Sequence, residues 1–400
     1  MDFSKWTLDD YRSWLDICIN CGACVAHGPV CPHNNQTLPP YEWSGPDKRC
    51  PSLEYYNFSS HAAKGRLLNA GAVWRDGIEI TDDMINLMYT CASCGVCNEI
   101  CYMWKPMYII QAMRQEIVEQ KKELPEPLPE LFANMDEKHN LFGLDERAKN
   151  LPNLPTKGKD LYFTGCYTSY LLPKIARVNA RILMAGGLDL CHMGSDEHCC
   201  GEVAYQGGNM ELFREMAKRN VDKVIEAGSE RVICSCAHCY KTWKEAYPNA
   251  LQMDLPFKVC HVTEVLAELL AEGKLQPIKP VNKTVTFHDP CFLRSTANEA
   301  PRAVLAAIPG LELKEMPRHG KWSYCCGGGA KIVLNCYPDF ASDTGSERLA
   351  EAKETADEVI TSCPVCFNQL RHTAQTDSVD IGIEDISVLL AESLGISTEM

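Results

Sequence analysis

Four hundred residues, 46% of them hydrophobic, suffice for two or three packed cores and exclude wholesale disorder. A net charge of −14 sets aside nucleic acid, whose phosphates demand a surplus of Lys and Arg, and no apolar run approaches the roughly 18 residues of a membrane span. The 23 cysteines are an odd number gathered in C-x2-C steps, and the opening MDFSKWTLDD lacks the basic and apolar segments of a signal peptide, so metal-bound thiolates in a reducing, cytoplasmic setting are expected rather than disulfides.

In chain order, short helices are expected over Leu8–Ile17, His61–Ala70, Thr81–Tyr89 and Met107–Gln120. They surround two cysteine triplets, Cys18-x2-Cys21-x2-Cys24 and Cys91-x2-Cys94-x2-Cys97-x3-Cys101. Three cysteines two apart can wrap one iron–sulfur cubane, and in two-cluster ferredoxins the fourth ligand comes from the other half. By that logic Cys101 completes the site of Cys18, Cys21 and Cys24. The site of Cys91, Cys94 and Cys97 needs a fourth ligand, either Cys50 or Cys31, each followed by Pro. Cys50 is preferred because a helical stretch, HAAKGRLLNA, follows it closely. Zinc also binds C-x2-C pairs, but a third cysteine at the next step would be surplus.

Residues 121–158 (ELPEPLPELF, NLPNLPTKGKD) are rich in Pro, which blocks long helices, and read as a surface connector. The remainder repeats. Cys166, Cys199–Cys200 and Cys236/Cys239 recur as Cys291, Cys325–Cys326 and Cys363/Cys366, offset by 125 to 127 residues. Each half runs from a β-like stretch (DLYFTGC, TVTFHDPC) to a helix after its CCG (Asn209–Ala227, Asp339–Thr355). A second β-like stretch (RVICSC, EVITSC) and a closing helix follow. The expected organisation is an α-helical two-cluster ferredoxin domain over 1–120, the connector over 121–158, and a duplicated α/β module with small parallel sheets over 159–280 and 281–400. Cysteines then fall at strand ends, where open α/β folds place ligands.

Five thiolates per half exceed what one cubane or one zinc needs, and two adjacent cysteines suit two different irons of an open cluster. Gly201 and Gly327 are expected to let the backbone turn tightly against the metal. The remaining cysteines, Cys31, Cys191, Cys234, Cys260 and Cys336, read as core residues, with Cys234 facing the same way as Cys236. His238 and His288 read as hydrogen-bonding neighbours of cluster sulfur, and Arg294 and Lys331 as solvated cations. No G-x-G-x-x-G follows a strand and no P-loop occurs, so flavin, NAD and ATP are not expected on this chain.

Paired triplets followed by two CCG modules resemble the heterodisulfide reductase family, in particular its fused D-type subunits. They are also similar to the sulfite-reduction K subunit, the glycolate oxidase iron–sulfur subunit and the class II benzoyl-CoA reductase electron-transfer subunit. The resemblance implies two cubane [4Fe–4S] clusters and two non-cubane [4Fe–4S] clusters. Cys166, Cys199, Cys200, Cys236 and Cys239 would hold one non-cubane cluster. Cys291, Cys325, Cys326, Cys363 and Cys366 would hold the other, in a catalytic role. It further implies partner redox subunits (a flavoprotein, a ferredoxin-like protein or a membrane cytochrome) and a small disulfide substrate. Both disulfide reduction on this chain and a pure relay to a quinone or acyl-CoA reductase partner stay open, because both use the same ligands.

Overall fold

The computed structural model describes residues 7–17, 49–101, 104–145, 151, 154–294 and 296–399. Cys18, Cys21, Cys24 and Cys31 lie outside the described residues.

The N-terminal portion is helical. A 3₁₀ turn, Leu8–Tyr11, runs into α1 (Arg12–Ile17), followed by α2 (Pro51–Tyr56), α3 (Ala63–Asp76), α4 (Asp82–Tyr89), α5 (Val96–Ile100) and α6 (Pro106–Glu119). Cys50 is the N-cap of α2, with Pro51 pre-set for the first turn. The Thr81 hydroxyl caps α4 by accepting from the Met84 amide. Helix α3 continues past the expected end at Ala70 and stops at Gly77, whose φ of +63° supplies the left-handed cap.

The proline-rich stretch does more than connect. It contains α7 (Leu128–Glu137), with Pro129 in its first turn, where a missing N–H costs nothing. Leu128, Leu131, Phe132 and Met135 form a buried face on this helix, so part of the expected surface connector belongs to the core.

Each half of the remainder builds a four-stranded parallel sheet. The first half runs β1 (Asp160–Phe163), α8 (Pro173–Ala185), β2 (Leu190–Cys191), α9 (Glu202–Gly207), α10 (Met210–Glu226), β3 (Arg231–Cys234), α11 (Ala237–Lys241), α12 (Tyr247–Leu251), β4 (Lys258–His261) and α13 (Val262–Ala271). The second runs β5 (Lys283–His288), α14 (Glu299–Ala306), β6 (Leu311–Leu313), α15 (Ile332–Cys336), α16 (Pro338–Thr355), β7 (Glu358–Thr361), α17 (Pro364–Thr376), β8 (Gly382–Asp385) and α18 (Ile386–Leu394). The strand orders are β2-β1-β3-β4 and β6-β5-β7-β8, the same topology twice. Strands such as RVIC are covered on both faces and therefore read as continuous apolar runs.

One apolar core joins the helical portion to residues of both halves, among them Met113, Phe132, Phe213, Trp243, Phe340 and Leu370. A second core lies where the halves meet and includes Tyr162, Ile233 and Leu269 of the first with Phe287, Ile360 and Leu389 of the second. Helix α13 packs on α14, and α18 packs on α8.

Candidate iron–sulfur centres

The cysteines gather at the carboxyl ends of the strands. Cys166 and Cys291 lie just past β1 and β5, while Cys236 and Cys363 follow β3 and β7 as the N-caps of α11 and α17. All ten repeat cysteines are buried. In the first half the Cys166 and Cys199 sulfurs stand 3.8 Å apart. The neighbouring thiols continue from Cys199 to Cys200, from Cys200 to Cys239 and from Cys239 to Cys236. In the second half the same order runs Cys291, Cys325, Cys326, Cys366, Cys363. The two chains of thiols meet, because Cys236 adjoins Cys363.

Along these chains three thiols are pushed toward the thiolate, the form that binds iron, while the other seven are pushed up. Hydrogen bonds from Cys199 and then Cys239 pull Cys200 down to about 6. Those from Cys291 and Cys326 hold Cys325 well below the usual thiol range. At Cys363 burial opposes ionisation, but hydrogen bonds from Cys236, Cys366 and two backbone amides prevail and lower it strongly.

The structure also brings Cys50 beside Cys91 and Cys94. Burial pushes the Cys50 thiol up to about 11 and Cys94 up to about 12. Cys97 is buried in the first turn of α5, and the half-buried Cys101 caps its end. The triplet expected to share Cys101 lies outside the described residues. Cys94 neighbours Cys325, and Cys94 and Cys291 line one cavity of about 460 Å³ together with Lys105, Lys241, Lys244 and Arg294. The helical portion is thus fastened against the second half's thiols, and Tyr324, next to Cys325, donates to Glu54 of α2 at 2.9 Å.

Comparison with known proteins agrees with this arrangement. Residues 14–103 match the 4Fe-4S dicluster domain, and residues 161–244 and 285–371 each match the cysteine-rich domain. The D-type subunit of dihydromethanophenazine:CoB–CoM heterodisulfide reductase from Methanosarcina barkeri is 32% identical, over 96% of this chain and 95% of that one. The chain belongs to the family of heterodisulfide reductase D-type subunits. It is an iron–sulfur oxidoreductase subunit. A second relative, the EtfAB:quinone oxidoreductase of Syntrophomonas wolfei, is 28% identical over 89% of this chain and 54% of its own length. Among solved structures, a hypothetical protein from Helicobacter pylori shares the fold, with a TM-score of 0.58 at 11% identity, covering 84% of this chain and 68% of that one.

The surroundings of the thiols suit iron–sulfur clusters of the kind this family's domains describe. His288 Nδ1 accepts from Arg348 Nε at 3.0 Å, so the proton sits on Nε2, a buried donor without a protein partner. One His288 nitrogen and the sulfurs of Cys326 and Cys366 lie within 4.8 Å of one another. Burial, then Arg348, lowers His288 to about 3, so the ring is neutral. Arg294 likewise keeps buried Nε and Nη1 donors unpaired, and cluster sulfide would accept from such groups. At Gly165 (φ +76°) a Cβ would stand 2.9 Å from Cys239 Sγ, so only glycine leaves that sulfur its place.

One expectation is extended and another corrected. Gly201 and Gly327 do have positive φ, but a Cβ there would meet Phe213 and Met216 in one case and the Ala341 backbone in the other. These glycines thus also let α10 and α16 approach, while their amides hydrogen-bond to the Cys199 and Cys325 sulfurs. Lys331 and Arg294 are 2% and 4% exposed, so neither is solvated. Sequence reasoning also missed Glu202, buried and ion-paired to Lys331, and Arg114, fully buried beneath the Cys91 loop. Glu202 directly follows the first CCG where the second copy has Gly328, a difference visible in the repeat; nothing local marks Arg114.

Proposed function

We propose that the chain carries electrons through two cubane clusters to two non-cubane [4Fe–4S] clusters, and that it reduces a small disulfide within an anaerobic complex in the cell interior. In this reading Cys18, Cys21, Cys24 and Cys101 hold one cubane, and Cys91, Cys94, Cys97 and Cys50 the other. The two five-cysteine sets hold the non-cubane clusters, with Cys291, Cys325, Cys326, Cys363 and Cys366 nearest the chemistry. The domain limits 1–120, 121–158, 159–280 and 281–400 follow the same division.

The observation that carries the proposal is the unbroken series of buried thiols from Cys166 to Cys291 through the adjoining Cys236 and Cys363, with Cys94 and Cys291 on one cavity. When bound, the clusters supply one-electron storage. The chain's own residues exclude water and hold N–H groups near the sulfurs. Two adjoining sites suit a disulfide, whose reduction needs two electrons. Partner redox proteins would deliver them; among the described residues no helix is long and apolar enough to cross a membrane.

Anaerobically purified protein should contain about 16 iron per chain, with EPR and Mössbauer signals that two cubanes do not give, and the reduced protein should consume a thiol disulfide. About 8 iron, with cubane signals only, would sink the assignment of the ten repeat cysteines. The similarity to a quinone oxidoreductase favours a second reading, a relay to a quinone-linked partner. Full iron content with no turnover of any disulfide, but with reduction of a quinone when a donor and a partner protein are supplied, would select it.

A further inference from the structure

We propose that Lys331 is a positioning residue through which the second half sets the reduction potential of the cluster held by the first half's five cysteines. The inference rests on the cluster assignment above.

Lys331 belongs to the second copy, CCGGGAK, yet its side chain is spent on the first. Its Nζ is ion-paired to the buried Glu202 carboxylate and donates to His238 Nδ1 at 3.1 Å. Glu202 lies two residues past Cys200, and His238 stands between Cys236 and Cys239. Phe292, next to Cys291, covers the His238 ring with centroids 4.3 Å apart. The backbone is held for this reach: Ala330 and Lys331 both take left-handed conformations, with φ of +54° and +66°. Two consecutive non-glycine residues in that region persist only where their surroundings compel them, which is typical of functional sites.

The interior position is tolerable because Lys331 is ion-paired with the equally buried Glu202 carboxylate. A fixed cation in a dry interior favours whichever state of its neighbour is more negative, and a reduced cluster is the more negative state. The matching residue of the first half is Tyr205, so the repeat places no counterpart of this lysine on the second half's thiols.

The test is a redox titration of the full chain followed by EPR. The first-half signal is the one that disappears in Cys199→Ser. In Lys331→Met the ratio of reduced to oxidised first-half cluster, at a fixed ambient potential, should fall about tenfold, which is about 59 mV for a one-electron couple. Lys331→Arg should restore it, and the cubane potentials should not move. An unchanged first-half potential in Lys331→Met overturns the inference. If Lys331→Met loses the cluster, Glu202→Gln decides: removal of the counter-anion should raise the potential, and no rise overturns the inference. Wild-type protein lacking any non-cubane signal would instead defeat the cluster assignment, so the two failures are distinguishable.

Discussion

His261 and Asp385 occupy the same place in the repeat, as N-caps of α13 and α18. His261 Nδ1 accepts from the Thr263 amide, and Asp385 Oδ1 from the Ser387 amide. Burial drives both toward neutrality, lowering His261 to about 4 and raising Asp385 to about 7. Their linkage terms have opposite signs. The folded state binds fewer protons than the unfolded state at His261, so this term strengthens the fold as pH rises from about 4 to about 6.5. At Asp385 the folded state binds more, so stability is lost as pH rises from about 4 to about 7. Each term amounts to roughly 3 to 4 kcal/mol from the size of the shift, and together they nearly cancel. Relative to wild type, His261→Asn should make stability rise less steeply with pH in that window, and Asp385→Asn should make it rise more steeply. Denaturant midpoints measured from about pH 4 to about pH 7 check this, and two parallel curves would contradict it.

At the scale of elements, the triplet loop that ends α4 and begins α5 is held from below by one side chain on α6. The fully buried Arg114 donates to the carbonyl oxygens of Met88, Cys91 and Gln206 and to the Ser93 hydroxyl, over 2.7 to 3.1 Å. It thereby ties the Cys91 loop to the end of α9 in the first half. Loss of a buried, fully bonded cation leaves several carbonyls unsatisfied and costs on the order of 3 to 5 kcal/mol. Arg114→Met should lower the unfolding free energy by about that amount, and should weaken the cubane EPR signal before the signals of the repeat sites. Equal loss of all signals, or none, would contradict this role.

For the whole molecule, the two halves share a core through α13 with α14 and α8 with α18, and they meet again at the Cys236–Cys363 thiols. Neither half can open without exposing apolar surface of the other. Denaturation followed by tryptophan fluorescence and by far-ultraviolet circular dichroism should give one coincident transition. A first phase that releases one half's iron while the other keeps its own would show that the halves are independent.

The composition, the two kinds of cysteine pattern and the offset of 125 to 127 residues were legible because each depends on spacing along the chain. Metal ligation by C-x2-C steps and duplication of a strand–helix unit are local or periodic properties, so the α/β repeat and the family resemblance followed from them. The helix inside the proline-rich stretch was not legible, because its stability comes from burying Leu128, Leu131 and Phe132 against a core that spacing does not reveal. Nor was the burial of Lys331, since a lysine after a glycine run ordinarily meets water, and only the approach of Glu202, 129 positions away, makes an interior charge tolerable. The sequence by itself determined which cysteines recur at metal-ligand spacing. The tertiary structure decided which of them gather, that Cys236 adjoins Cys363 and that Cys94 and Cys291 line one cavity, because contact between segments far apart in the chain is settled by packing.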